Sequence, residues 1–275
     1  MEHQIKLTNI IDSQPLKSRF FATKSTQRRG IIIFIHGYGT TSSYHDLVIS
    51  DFINAYDYYT IELSGHGISA LHPKWINHRI DCHDNVELIC STIKNLINDQ
   101  PFYLIGHSMG AALATRVANQ LGKQVLAYVS VCPMNSHLIS LKSFKNYFYF
   151  APKTLKQCRR FVKKLVCNQN HFSAALIEQE FQYQRFYHDF FKNLKKSMYH
   201  YRNHKRSRFN EQALQVPTLA IGAQNDQIIS AKSVQKSFKN HPYVQTVVIT
   251  NSGHLVFWDQ KQTYVQMVLD WFNHH

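Results

Sequence analysis

Phe102-Tyr103-Leu104-Ile105-Gly106-His107-Ser108-Met109-Gly110-Ala111-Ala112-Leu113-Ala114 is the stretch on which the fold is decided. Four large apolar or aromatic residues make a strand-sized run. A serine follows with glycine two places before and two after it, and then come small helix-forming residues. The spacing predicts a buried strand over Phe102 to Ile105, a sharp turn at Ser108, and a helix over Met109 to Leu121 that Gly122 stops. Such a turn lifts the Ser108 hydroxyl clear of the sheet, while Gly106 and Gly110 allow strand and helix to approach closely. A bare G-x-S-x-G also arises by chance, and an ordinary tight turn from strand to helix is the plain alternative. The strand on one side and the helix on the other give the motif its content.

On either side of this stretch the same alternation continues. Strands are predicted at Ile31 to Ile35, Tyr58 to Glu62, Val125 to Val131, Thr218 to Ile221 and Val244 to Ile249. Helices are predicted at Asp84 to Leu96, near Ser230 to Lys239, and at Gln262 to Phe272. The stretches around Lys6 to Ile11 and Arg19 to Thr23 suit an antiparallel edge pair. Alternating strands and helices imply a mostly parallel sheet with helices on both faces. Ligand chemistry then belongs at the carboxyl ends of the strands.

Charge divides the chain. Residues 133–212 hold 16 Lys and Arg against four acids, whereas the other 195 residues hold 15 against 13. A net +12 concentrated in one segment marks it as an insertion, so the expected organisation is a core of 1–132 and 213–275 and a basic helical cap over 133–212. Within the cap, Leu155, Cys158, Phe161, Val162, Leu165 and Val166 share one face. Lys156, Arg159, Arg160, Lys163 and Lys164 fall mostly on the other, as in an amphipathic helix. Phe181 to Leu194 reads as a second, aromatic helix. The basic face suits weak contact with an anionic membrane surface. Its plain alternative is solvation of a lid whose apolar face packs on the core. Basic and aromatic residues together also suit nucleic acid, but no recognised nucleic-acid motif accompanies them, and no such partner is expected.

A serine hydroxyl needs a base, and the base needs an orienting acid. His254 follows the strand Val244 to Ile249 in the setting Asn251-Ser252-Gly253, and Asp226 follows Thr218 to Ile221. Both are therefore expected at the strand ends where Ser108 stands. Asp226 as a simple turn acid is the competing reading, because Asp is common in loops. His36-Gly37-Tyr38-Gly39 follows Ile31 to Ile35, and the backbone N–H groups of Tyr38 and Met109 are candidates to hold an oxyanion. His36, Gly37, Gly106 and Gly110 would shape the supporting loops.

With HGYG at His36 to Gly39, ELSGHGIS at Glu62 to Ser69, GHSMG at Gly106 to Gly110, Asp226, and SGH at Ser252 to His254, the whole chain resembles the α/β-hydrolase superfamily. It is most similar to the capped branch of esterases, monoacylglycerol lipases and serine peptidases. The resemblance implies an oxyanion loop at HGYG and a cap entering after Val125 to Val131, which the insertion at Pro133 matches. Two features depart from that pattern: Glu62 stands where Asp is usual, and Gly222 lies four residues before Asp226 rather than three. Ser108 at the elbow disfavours the relatives with an Asp nucleophile.

The expectation is a serine hydrolase of carboxylic esters, probed against peptide, thioester or carbon–carbon bond hydrolysis, acyl transfer, and a non-catalytic small-molecule receptor on the same fold. The substrate would be a small-molecule acyl ester, with no metal and no organic cofactor. The five cysteines are scattered without CxxC spacing, as reduced thiols would be. No apolar run approaches the roughly 18 residues of a membrane span, and the polar start carries no readable signal peptide. A cytoplasmic location is expected on that basis.

Overall fold

The computed structural model describes residues 10–11, 15–69, 82–138, 150–198 and 211–275. Its strands are β1 (Ile10–Ile11), β2 (Ser18–Phe21), β3 (Gly30–Ile35), β4 (Tyr56–Ile61), β5 (Phe102–His107), β6 (Val125–Val131), β7 (Thr218–Ala223) and β8 (Val244–Ile249). They form one sheet in the order β1-β2-β4-β3-β5-β6-β7-β8. The pairs β1/β2 and β2/β4 are antiparallel and the other pairs parallel. The expected N-terminal edge pair is present through Ile10–Ile11, and Lys6 to Asn9 lie outside the described residues.

Each of the six residues of β5 and of β7 is buried. Successive strand side chains point to opposite faces, so both faces of the sheet are covered there. The helices that cover it are α1 (Asp46–Phe52), α2 (Cys82–Ile97), α3 (Met109–Leu121), α7 (Ala231–Ser237), α8 (Val256–Asp259) and α9 (Lys261–Asn273). Helix α3 packs on β5 and β6 with α2 against it, while α1, α8 and α9 form a second group that reaches β6. At the heart of that group His45 is wholly buried, its ring nitrogens 2.6 Å from the Tyr58 hydroxyl and 2.9 Å from that of Tyr264. Phe34 stacks on the imidazole at 4.1 Å and Phe257 meets it edge-on.

Between β6 and β7 the chain forms α4 (Leu155–Val162), α5 (Ala174–Phe186) and α6 (His188–Met198). The apolar stripe of the first is sorted as its spacing predicts. Cys158, Phe161 and Val162 are buried, and Lys156, Arg159, Arg160 and Lys163 are exposed. The helix is shorter than the stripe, however. After Val162 the backbone tightens into turns that place Leu165 and Val166 in a buried strap, where the Leu165 carbonyl accepts from the Leu255 N–H at 2.7 Å. Continued helix would have spent that carbonyl internally. The helix expected over Phe181 to Leu194 is two helices, broken at Tyr187 (φ −96°, ψ 18°), so that Tyr187 and Phe191 both turn towards the core.

Gly110 decides how closely α3 lies on the sheet. A Cβ there would stand 2.1 Å from the His36 carbonyl oxygen and 2.4 Å from that of Ile35. Those carbonyls belong to β3 and its exit, which cannot retreat without disturbing the parallel ladder. Gly110→Ala is therefore expected to cost at least about 1–3 kcal/mol through overpacking, read as a lower urea midpoint with an unchanged slope.

Candidate active site

Ser108 joins β5 to α3 with φ 57° and ψ −119°, a conformation that costs a non-glycine residue on the order of 1–3 kcal/mol. Four backbone hydrogen bonds hold it there. Its N–H donates to Val131, and its carbonyl accepts from the N–H groups of Ala111, Ala112 and Met134. The hydroxyl is thereby aimed away from the sheet, and Ser108 Oγ lies 2.9 Å from His254 Nε2.

The other imidazole nitrogen, His254 Nδ1, lies 2.7 Å from Asp226 Oδ2. Oδ1 of the same carboxylate accepts from the N–H groups of Ile228 (2.7 Å) and Ile229 (2.9 Å), which fixes its rotation. A carboxylate beside Nδ1 leaves one consistent protonation pattern: Nδ1–H donates to Asp226, and Nε2 accepts from the Ser108 hydroxyl. Such a set can take the serine proton and stabilise the imidazolium that results. The longer spacing between Gly222 and Asp226 does not open this geometry, because β7 runs on to Ala223 and delivers the acid three residues later.

Tyr38 and Gly37 line the same cavity as Ser108 and His254, together with Phe150, Phe161, Leu165, Ile228 and Leu255. Only about 20 Å³ is open inside, room for about one water. Tyr38 itself is buried, and its hydroxyl donates to the Phe191 carbonyl at 2.8 Å, tying the HGYG turn to α6. A second tie runs from α5, where the Gln184 side chain donates to the Gly39 carbonyl and to Glu180, whose other oxygen accepts from the Tyr44 hydroxyl. Burial pushes the Glu180 carboxyl up, opposed by its hydrogen bonds from Tyr44 and Gln184.

His36 and His66 brace the two loops reciprocally. His36 Nδ1–H donates to the Gly37 carbonyl while Nε2 accepts from the Leu63 N–H; His66 Nδ1–H donates to Ser64 while Nε2 accepts from the Gly39 N–H. Each ring needs a lone pair, so each must be neutral. Burial pulls His36 down to about 4 and His66 to about 3, with the neighbouring imidazole adding to the shift at His66. His107, next to Ser108, donates through Nε2 to the His254 carbonyl at 3.0 Å, and burial pulls it well below the usual range as well. The Glu62 carboxylate, held up by burial, accepts from the Ser42 N–H and so takes the bracing role of the shorter acid expected there.

Sequence reasoning placed Ser108, Asp226, His254, Tyr38, His36 and Gly37 at one end of the sheet, and the structure brings them together. It missed Asp259. That carboxylate accepts from the N–H groups of Gly253 (2.8 Å), Cys167 (2.8 Å) and Asn168 (3.0 Å), stapling the His254 loop to the strap after α4. The approach is close enough that a Cβ on Gly253 would sit 2.9 Å from the Leu165 carbonyl oxygen, which is why the residue before His254 is glycine. Cys132 was missed too: it follows β6 at φ +43°, wholly buried. A lone carboxylate five residues past His254 was the available signal for Asp259; nothing in the spacing marked Cys132.

A parallel sheet with helices on both faces and a strained serine at the exit of β5 define an α/β-hydrolase. The family model described as serine aminopeptidase, S33, matches residues 26–261, and the chain belongs to that family. A Mycoplasma genitalium protein named "Putative esterase/lipase 2" is 26% identical over 245 residues, covering 87% of each chain. Among solved structures, a meta-cleavage product hydrolase from Pseudomonas fluorescens IP01 superposes with a TM-score of 0.79 at 16% identity, covering 97% of both chains. A bacterial membrane phospholipase A does so with 0.81 at 16% identity, covering 97% of this chain and 85% of its own. No helix among the described residues is long and apolar enough to cross a membrane.

The buried neutral histidines predict acid sensitivity. Unfolded, His36, His45 and His66 protonate near 6.5; folded, they resist to about 4, about 3 and about 3. Between those values the unfolded chain binds more protons, so their contribution is complete above 6.5 and is lost as pH falls. Each can remove up to about 1.4 kcal/mol per pH unit. Urea unfolding should show stability declining already from pH 6.5 towards 4, and His45→Gln should flatten that decline.

Proposed function

We propose that the protein is a serine hydrolase of carboxylic esters working through an acyl-enzyme. The observation that carries this reading is the unbroken sequence of contacts from Ser108 Oγ through the His254 ring to Asp226, at 2.9 and 2.7 Å. Ser108 attacks the carbonyl as His254 Nε2 takes its proton. The N–H groups of Tyr38 and Met109 receive the oxyanion. His254 then returns the proton to the leaving alcohol, and water, activated by the same imidazole, releases the acid. Each step uses side chains, backbone and water.

Residues 133–212 serve as a cap over this site, and the core comprises 1–132 and 213–275. The apolar lining supplied by Phe150, Phe161 and Leu165 supports an acyl group of medium or greater length. With room for about one water beside Ser108, such a chain enters only when the strap and α4 move outward. The relatives named as esterases or lipases support ester chemistry over the peptide and carbon–carbon alternatives.

Turnover of a p-nitrophenyl ester tests the reading. Ser108→Ala and His254→Ala should each lower kcat by several orders of magnitude, with the double variant little worse, because the pair acts as one unit. Asp226→Asn should cost less. A fluorophosphonate should label Ser108 alone. An adduct mapped to Ser69 or Ser252, or a folded protein that neither takes the label nor turns over the ester, would overturn the mechanism, the second outcome favouring a receptor.

The exposed Lys156, Arg159, Arg160 and Lys163 on α4 and the turn after it support weak contact with anionic lipid. Vesicles containing phosphatidylserine should be bound more tightly than neutral ones, less so with added salt. Charge reversal at the four positions should abolish the preference and leave soluble-ester turnover in place. Equal binding to both vesicle types would assign the basic face to solvation alone.

A further inference from the structure

The proposed reaction has no task for Cys132, yet the chain bends to put it beside the acid–base pair. Cys132 is the first residue past β6, in the left-handed region at φ +43°, where a side chain is uncommon. Its N–H is anchored on the Ile221 carbonyl at 2.8 Å, extending the β6/β7 ladder by one bond. Its Sγ, an Asp226 carboxylate oxygen and a His254 ring nitrogen all lie within 4.8 Å of one another.

We propose that Cys132, Asp226 and His254 form an inhibitory binding site for a thiophilic divalent ion, zinc or cadmium. One sulfur, one imidazole nitrogen and one carboxylate oxygen are the borderline-soft set that such ions select, and three protein ligands leave a fourth position for water. Bonds of about 2.0–2.3 Å to a tetrahedral ion place its donors roughly 3.3–3.8 Å apart, so small side-chain shifts close the set. Asp226 is already oriented for this, because Ile228 and Ile229 hold Oδ1 and leave Oδ2 on the side of the imidazole. Such backbone hydrogen bonds to a ligating carboxylate are what orients a metal site.

The consequence follows from proton bookkeeping at the ring. The ion takes the Nδ1 lone pair in place of the Nδ1 proton, which moves to Nε2; the Cys132 thiol proton leaves to solvent, so one proton is released per ion bound. Nε2 then presents N–H to Ser108 Oγ at a contact now 2.9 Å, where the reaction needs a lone pair. The ion therefore lowers kcat by fixing the wrong tautomer and does not compete for the acyl cavity. This consequence rests on the proposed hydrolase reading; the binding itself does not.

The full chain titrated with Cd2+ in a Cys82→Ser, Cys167→Ser background, which removes the thiol exposed among the described residues and the one at Cys82, tests the site. Thiolate-to-cadmium absorption in the ultraviolet reports sulfur ligation and ignores the surface histidines. The expected result is one equivalent of Cd2+ with that absorption, at least about a tenfold fall in p-nitrophenyl ester turnover, and recovery on adding EDTA. Cys132→Ala should lose the absorption, and its turnover with and without Cd2+ should become equal. Should that variant not fold, Asp226→Asn keeps the test alive, weakening Cd2+ binding at least about tenfold as read by absorption. No absorption in the Cys82→Ser, Cys167→Ser protein, or either absorption or inhibition that persists in Cys132→Ala, would overturn the site. Absorption without any ester turnover would leave the site standing and sink the hydrolase reading instead, whereas turnover without absorption would sink the site alone.

Discussion

The parallel register of β5, β6, β7 and β8 is the constraint on which the rest depends. Because the four strands run in the same direction, their carboxyl ends reach one edge together, and backbone hydrogen bonds continue past the strands. Ser108 N–H donates to Val131, Cys132 N–H to Ile221, and Asn225 N–H to Ser252. Each strand therefore delivers one chemical group to the same place: hydroxyl, thiol, carboxylate and imidazole in sheet order. The positive φ at Ser108 and Cys132 is sustained because backbone hydrogen bonds hold each residue, Ser108 through its N–H and carbonyl and Cys132 through its N–H.

The same edge explains how the strongly basic stretch 133–212 is attached to the nearly neutral remainder of the chain. Among the described residues its contacts with the rest of the chain make little use of lysine and arginine, Lys164 donating to Gln227 being an exception. They use apolar residues, tyrosine hydroxyls, Gln184, and carbonyl or carboxylate acceptors such as Leu165 and Asp259. Asp259 matters most, since one buried carboxylate accepts from both the strap and the His254 loop and so joins Cys167 to Gly253, one residue from the imidazole.

Histidine plays opposite parts within a few ångströms. His36, His66 and His107 are locked neutral by burial and serve as donors and acceptors for backbone groups. His254 has its two nitrogens committed to side chains, a carboxylate and a hydroxyl, the arrangement on which the proposed proton transfer relies. What separates His254 from the other three imidazoles is the identity of its partners, since all four are buried.

The strand and helix succession, the mostly parallel sheet, the elbow at Ser108 and the strand-end placement of Asp226 and His254 are legible in the residues. These rest on local periodicity and on groups lying immediately after apolar runs, which are short-range properties. Glycine spacing around Ser108 carried the close approach of α3 for the same reason. Tertiary structure alone decided where α4 stops, since the Leu165 carbonyl leaves the helix for a partner 90 residues away in Leu255. It also decided the break at Tyr187, the three-way acceptance by Asp259, and the meeting of Cys132 with Asp226 and His254. None of these has a local signature, because each is set by which surfaces the folded sheet brings within hydrogen-bonding distance and not by the residues beside it in the chain.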